Sequence, residues 1–409
     1  MSLFEYERDG DADALVEALE SANTTEVRRR AAEMLGAFEN HGDRHAIVEA
    51  LVEAASTDEG PVVAAAVDAL DQLGRDAVEA LLARQADVDL AESAPDAAKA
   101  AAFTEVLSAD LPELRMAAAN ALGDVGEPDA VPELLARFDD PDPRVRARAA
   151  RACGEIDDAR AVEPLRDLLD EPHVGVRREA AEALGRIGNR EALGALLELY
   201  DDESERVRRI AVAGFGKFDT DRPVDALVDA LEDPSTPVRR TAVYSLIEVL
   251  SNVPTEESHD IRAAVVSTLT AREDGTVVDP LVELLEESTQ EAQRRNAAWL
   301  LGRITDGTAD RDVVDALVEA LGDDDEMTRQ FAATSLATID GGAVETALLA
   351  VVEDEEAETD QRTQALFALG KVGGDQARER LDALLQESED ETIREAAFAA
   401  LSKLGGQAR

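Results

Sequence analysis

The sequence predicts an all-α superhelix of about 12 helix-pair repeats, and three observations predict it. A ten-residue pattern, Val-Arg-x-x-Ala-Ala-x-x-Leu-Gly, recurs along nearly the whole chain. Most copies follow a segment whose apolar residues fall at i, i+3, i+4 and i+7, the spacing of one helix face. No stretch keeps the two-residue period of a strand over a useful length. A lone helix pair cannot bury its apolar face, so such pairs must stack on one another.

The elements follow in chain order. The first copy is Val27-Arg28…Ala31-Ala32…Leu35-Gly36, and a looser one opens at Val62. Leu114, Val145, Val176, Val207 and Val238 open five copies, each 31 residues from the last. Looser copies open at Ile261, Gln293, Thr328, Gln361 and Ile393. First-helix segments include Ala161-Val-Glu-Pro-Leu-Arg-Asp-Leu-Leu and Val224-Asp-Ala-Leu-Val-Asp-Ala-Leu. Acidic turns with Pro, such as Asp139-Asp-Pro-Asp-Pro and Glu232-Asp-Pro-Ser-Thr-Pro, separate the two segments. Pro suits a first helical turn and Asp or Ser caps it. Gly154, Gly185, Gly302 and Gly370 are expected to stop the second helices.

Two segments break the rhythm. Residues 75–111 hold an extra helix and the loop Asp87-Val-Asp-Leu-Ala-Glu-Ser-Ala-Pro. Residues 250–276 hold Ser251-Asn-Val-Pro-Thr-Glu-Glu-Ser and the Ile261 copy, only 23 residues after Val238. Both are candidate functional insertions or simple stacking defects. Residues 1–409 are expected to form a single continuous array containing them.

Composition narrows the function. Of 409 residues, 41 are Lys or Arg and 90 are Asp or Glu, a net charge of −49. One Cys excludes a disulfide framework, a multi-Cys zinc site and a Cys-ligated iron–sulfur cluster. The charge argues against general nucleic-acid binding, which needs a basic face. No apolar run approaches the ~18 residues of a membrane helix. The start, Met1-Ser-Leu-Phe-Glu-Tyr-Glu-Arg-Asp-Gly, lacks the basic-then-apolar order of a signal peptide, so a cytoplasmic location is expected. Only four residues are Lys: Lys99, Lys217, Lys371 and Lys403. Abundant acid, scarce Lys and regular apolar periodicity describe a folded protein adapted to a halophile cytoplasm. There the Debye length falls to ~3 Å at 1 M salt and carboxylate repulsion is screened.

The unit resembles a HEAT repeat, in particular the short HEAT-like type named after phycobiliprotein-bilin lyases. The Val-Arg-x-x-Ala-Ala-x-x-Leu-Gly cores and Asp-Pro turns carry the resemblance, over nearly the whole chain. It implies a scaffold or adaptor with no cofactor, and less directly a bilin-lyase-like enzyme.

Aligning the copies separates packing from function. With the opening Val as position one, positions one, five, eight and nine face the core. Position two is Arg in 11 of 12 copies: Arg28, Arg115, Arg146, Arg177, Arg208, Arg239, Arg262, Arg294, Arg329, Arg362 and Arg394. A cation in every repeat is expected to reach an Asp of its own or a neighbouring turn, as a ladder. Positions three and seven lie one turn apart on the exposed side of the second helix, which lines the concave surface in HEAT-like arrays. Position three holds Arg178, Arg209, Arg240 and Arg295; position seven holds Tyr244, Trp299 and Phe367. These seven are the candidate partner-binding residues, suited to an extended or acidic protein segment. Tyr, Trp and Arg are enriched at binding hot spots. Arg240 with Tyr244, and Arg295 with Trp299, are i,i+4 pairs expected to place a guanidinium over a ring. The competing reading is that large residues at position seven fill gaps beside the Ile261 irregularity.

No catalytic or metal constellation emerges. His41 and His45 have helical ligand spacing, but Gly42-Asp43 reads as a turn and no Glu follows His41. Cys153 stands at core position nine. No Gly-x-Ser-x-Gly or phosphate-binding glycine loop occurs. Acidic turns such as Asp201-Asp202-Glu203 and Asp323-Asp324-Asp325-Glu326 lack the ordered spacing of an EF-hand and read as a solvated ridge. The sequence therefore predicts a non-enzymatic interaction scaffold without metal or cofactor. A HEAT-like nucleic-acid protein of the alkylated-base glycosylase kind is the further alternative, since the Arg column supplies part of a cationic groove.

Overall fold

The computed structural model describes residues 3–58, 60–91, 93–218, 220, 222–252, 259–270, 277–305, 311–339 and 341–406. Described residues form helices and turns, with no strand among them. The chain comprises two compact units, Met1–Ala211 and Val212–Arg409.

In the first unit the second helices of successive repeats are Thr25–Leu35, Gly60–Leu73, Pro112–Val125, Pro143–Ile156 and Val174–Ile187, each touching the next. In the second unit they are Thr236–Asn252, Glu291–Ile304, Glu326–Ile339, Thr359–Val372 and Glu391–Gly406, again in contact one to the next. Turn chemistry starts Pro143–Ile156. Asp142 caps Pro143–Ile156 by accepting the Arg144 N–H at 2.8 Å, and Pro143 occupies the first turn, where its missing N–H costs nothing. The predicted core columns are largely buried, with Val27 of the first copy exposed and Gln293 and Gln361 half-buried. In Pro143–Ile156 alone, Val145, Ala149, Ala152 and Cys153 are fully enclosed. Burial pushes the Cys153 thiol up to about 12, so it carries no thiolate near neutrality. Ellman's reagent should leave the folded protein unlabelled and take one equivalent after denaturation; labelling of the native state would contradict this placement.

The glycines correct the sequence reading. Gly154, Gly185, Gly302 and Gly370 do not end helices; each lies inside one. Termination falls to residues further on, such as Asp157 at φ 58° and Gly188 at φ 60°. A Cβ on Gly154 would stand 2.5 Å from the Ala183 Cα of the next repeat, and one on Gly302 2.5 Å from the Ser335 Cα. Position ten is glycine because position eight of the following helix presses its backbone there. Ser335 makes use of this closeness, donating to the Ala298 carbonyl at 2.7 Å.

Several position-two arginines form the expected ladder, while Arg262 lies over the Trp299 ring and Arg362 donates to the Val352 carbonyl. Arg115 donates twice to the Asp140 carboxylate, at 2.8 Å each, and through Nη1 to the Ala109 and Asp110 carbonyls. Arg146 takes the Asp140 carbonyl at 2.7 Å and the Glu171 carboxylate at 2.9 Å. Arg177 takes the Glu171 carbonyl at 2.8 Å and the Asp202 carboxylate at 2.9 Å, and Arg208 the Asp202 carbonyl at 2.8 Å. Each turn thus receives one arginine on a side chain and the next on its backbone. The second unit repeats the motif, with Arg294 on the Asp323 carboxylate and Arg329 on its carbonyl.

The irregular segments share one device. Helix Arg75–Gln85 touches the preceding pair, Arg44–Thr57 and Gly60–Leu73, and also the next second helix, Pro112–Val125. Helix His259–Thr270 does the same with Val224–Ala230, Thr236–Asn252 and Glu291–Ile304. The Ile261 copy is therefore an extra helix rather than a stacked repeat. Its 23-residue spacing leaves no room for a first helix of its own. Thr236–Asn252 instead meets Glu291–Ile304 directly, where Asn296 donates to the Ser251 hydroxyl at 3.0 Å. The rest of the Ser251-Asn-Val-Pro-Thr-Glu-Glu-Ser stretch, residues 253–258, lies outside the described residues.

Candidate partner-binding face

Side chains four apart on a helix form one stripe, so positions three, seven and eleven of a second helix share a face. In the first unit, Arg178 is half-buried and pairs with the Glu179 carboxylate of its own helix. Arg209 is exposed and makes no ion pair among the described residues.

The other five candidates lie in the second unit, none of them fully buried. Arg240 reaches Glu283 at 2.5 Å, and the Tyr244 hydroxyl donates to the same carboxylate. Those two bonds hold the Glu283 carboxyl below its usual range. Burial and the Glu283 contact push the Tyr244 phenol up. Arg295 grips Asp325 through two bonds of 2.6 Å and also meets Glu291 at 2.9 Å. Arg295, joined by Thr328, holds the Asp325 carboxyl far below the carboxylate norm. Trp299 carries the Arg262 guanidinium 5.2 Å from its ring centre and that of Arg303 at 5.5 Å. Phe367 carries Lys371 at 4.5 Å and Lys403 at 4.1 Å.

The expected stacking of Arg240 on Tyr244 and of Arg295 on Trp299 is therefore corrected. The ring pairs run from position seven to position eleven, Trp299 with Arg303 and Phe367 with Lys371. A helical side chain leans toward the N-terminus, so a cation four residues later folds back over the ring. A cation four residues earlier leans away, and Arg295 accordingly bonds Glu291 and the next repeat's turn. Sequence reading stopped at positions three and seven and missed position eleven. The signal was present, because three of the four lysines (Lys217, Lys371 and Lys403) occupy that column.

Two grooves lie elsewhere, one of about 620 Å³ beside the extra helix and Lys99, and one of about 770 Å³ between first helices Arg311–Glu319 and Gly342–Glu353. His41 bonds the Asp43 N–H through Nδ1, while His45 faces Glu49 at 3.4 Å. No group of three or more His, Cys, Asp or Glu able to hold a metal occurs among the described residues. No helix among them is long and apolar enough to cross a membrane.

Helix pairs stacked through small-residue contacts and arginine-bound turns define an α-solenoid repeat protein. The chain belongs to the HEAT repeat family, which matches residues 12–102, 100–182, 168–248 and 278–362. The interval between the last two matches contains the extra helix His259–Thr270. Over 408 residues, 99% of each chain, the sequence is 50% identical to a HEAT repeat-containing taxis protein of the halophile Halobacterium salinarum. Among solved structures, the crystal structure of an engineered protein matches 97% of this chain and 99% of its own, at 22% identity and a TM-score of 0.44.

Proposed function

We propose that this protein is a non-enzymatic adaptor of a taxis system, working in the cytoplasm of a halophile and holding a partner protein on its second-helix face. One observation carries the reading: identity of 50% to a HEAT repeat-containing taxis protein over 99% of both chains. The 31-residue spacing supports assignment to the short, lyase-named repeat type. Arg240, Tyr244, Arg295, Trp299 and Phe367 are the contact residues of the second unit, with Arg178 and Arg209 those of the first. An enzymatic role finds little support, since the one cysteine is sealed in the core. A net charge of −49 disfavours a nucleic-acid partner.

The test is affinity purification of the tagged protein at native salt, beside taxis assays of a deletion strain. A discrete partner in stoichiometric amount, with taxis lost and growth unchanged, is expected. Unaltered taxis with no co-purifying protein would overturn the adaptor reading.

A further inference from the structure

We infer that the aromatic–cation face of the second unit docks an extended acidic segment, read by the position-eleven cations Arg303, Lys371 and Lys403. The inference deepens the adaptor reading and rests on it.

Its first ground is charge. Acids outnumber cations 90 to 41 in the chain. On positions three, seven and eleven of the four repeats from Gln293 onward the balance reverses: Arg295, Arg303, Lys371 and Lys403 against Glu395 alone. Arg295 is occupied by Asp325. Arg303, Lys371 and Lys403 are exposed, and among the described residues none pairs with a carboxylate. In a protein with carboxylates on every side, three cations kept clear of them are available to someone else's.

The second ground is preorganisation. Each of the three cations rests on a ring, Trp299 or Phe367. A long side chain held on a ring loses little further freedom when it binds, which is the usual cost of recruiting lysine. In concentrated salt the field reaches only ~3 Å, so recognition must come from contact: a carboxylate on the fixed cation, with apolar side chains against the ring edges. Between the two aromatic sites, Gln330, Thr334 and Thr338 present a neutral, exposed stretch that repels nothing.

Spacing sets the register. Neighbouring second helices stack about 8–10 Å apart, and an extended chain advances about 3.3 Å per residue, so about three residues cross each repeat. Lys403 and Lys371 lie one repeat apart, Lys371 and Arg303 two. The segment should carry carboxylates separated by about three and then about six residues, with apolar residues between them.

Trp299 is the only tryptophan and reports on the site directly. Two Trp-free peptides of about 12 residues, with Glu in this spacing read in either chain direction and Leu and Ser elsewhere, would be titrated into the full-length protein in about 2 M KCl. Saturable change in Trp299 fluorescence is expected with one of them and not with its Gln counterpart. Lys371→Gln/Lys403→Gln should weaken binding about tenfold or more. Arg166→Gln/Arg311→Gln, the same charge change on first helices, should not. Circular dichroism checks that both variants fold. No fluorescence response, or equal binding by the lysine variant, overturns the docking site. If wild type and lysine variant capture the same partner equally in the affinity experiment, the adaptor stands and the docking site falls. Self-association in sedimentation that the lysine variant abolishes would overturn the acidic segment in favour of a second copy of this chain.

Discussion

Gly154→Ala is expected to destabilise the protein by about 1–3 kcal/mol, although alanine is the better helix former by about 1 kcal/mol. The added methyl would lie 2.5 Å from the Ala183 Cα and 2.7 Å from its Cβ. Neither atom belongs to a flexible chain end, so relief requires the two second helices to part. In a stack of repeats, stability is largely the sum of such neighbour interfaces, and widening one weakens the whole unit. Gly60→Ala is the control: it lies at a helix start with no atom within 4 Å of the added carbon, and should cost nothing. Urea unfolding at high salt, followed by circular dichroism, measures both. A Gly154→Ala protein as stable as wild type would remove the close-packing account of position ten.

Arg115→Met is expected to cost more, about 3–5 kcal/mol, because it strands a charge rather than merely deleting a bond. The Asp140 side chain is 2% exposed and receives two of its hydrogen bonds from Arg115. Removing the guanidinium leaves that carboxylate buried without its cation and frees the Ala109 and Asp110 carbonyls as well. Adding Asp140→Asn should recover part of the loss, since the amide oxygen can still accept the Asp142 N–H that Asp140 now holds at 2.9 Å. Arg394→Met provides the scale: Arg394 donates to the Ser388 and Glu389 carbonyls, and about 1 kcal/mol is expected. Concentrated salt should not erase the Arg115 effect, because a buried pair is poorly screened. Equal stability of Arg115→Met and wild type would reduce the ladder to ornament.

The two variants test features of different legibility. The arginine column was readable because it recurs at one position beside acidic turns, and Arg115, Arg146 and Arg177 each take a turn acid 25 residues on. Which acid each arginine takes was not, and Glu171 replaces Asp for Arg146. The candidate face was half readable. Tyr244, Trp299 and Phe367 stood out as large residues in one column, yet Trp299 takes Arg303, one turn later than the expected partner Arg295, and Phe367 takes Lys371 and Lys403, for which no pairing was expected.

Periodicity, turn chemistry and composition by themselves determined that the chain is all-α, where the helix pairs fall, which columns are buried, and that arginines clasp the turns. These depend on residues within one repeat, so local spacing carries them. Only the tertiary structure decided the rest. Position-ten glycine proved to be a seat for the neighbouring backbone, the Ile261 copy an extra helix, and the rings the platforms of Arg303, Lys371 and Lys403. Each of those outcomes turns on a distance between helices or on the tilt of a side chain along one. A one-dimensional pattern of residue types contains neither quantity.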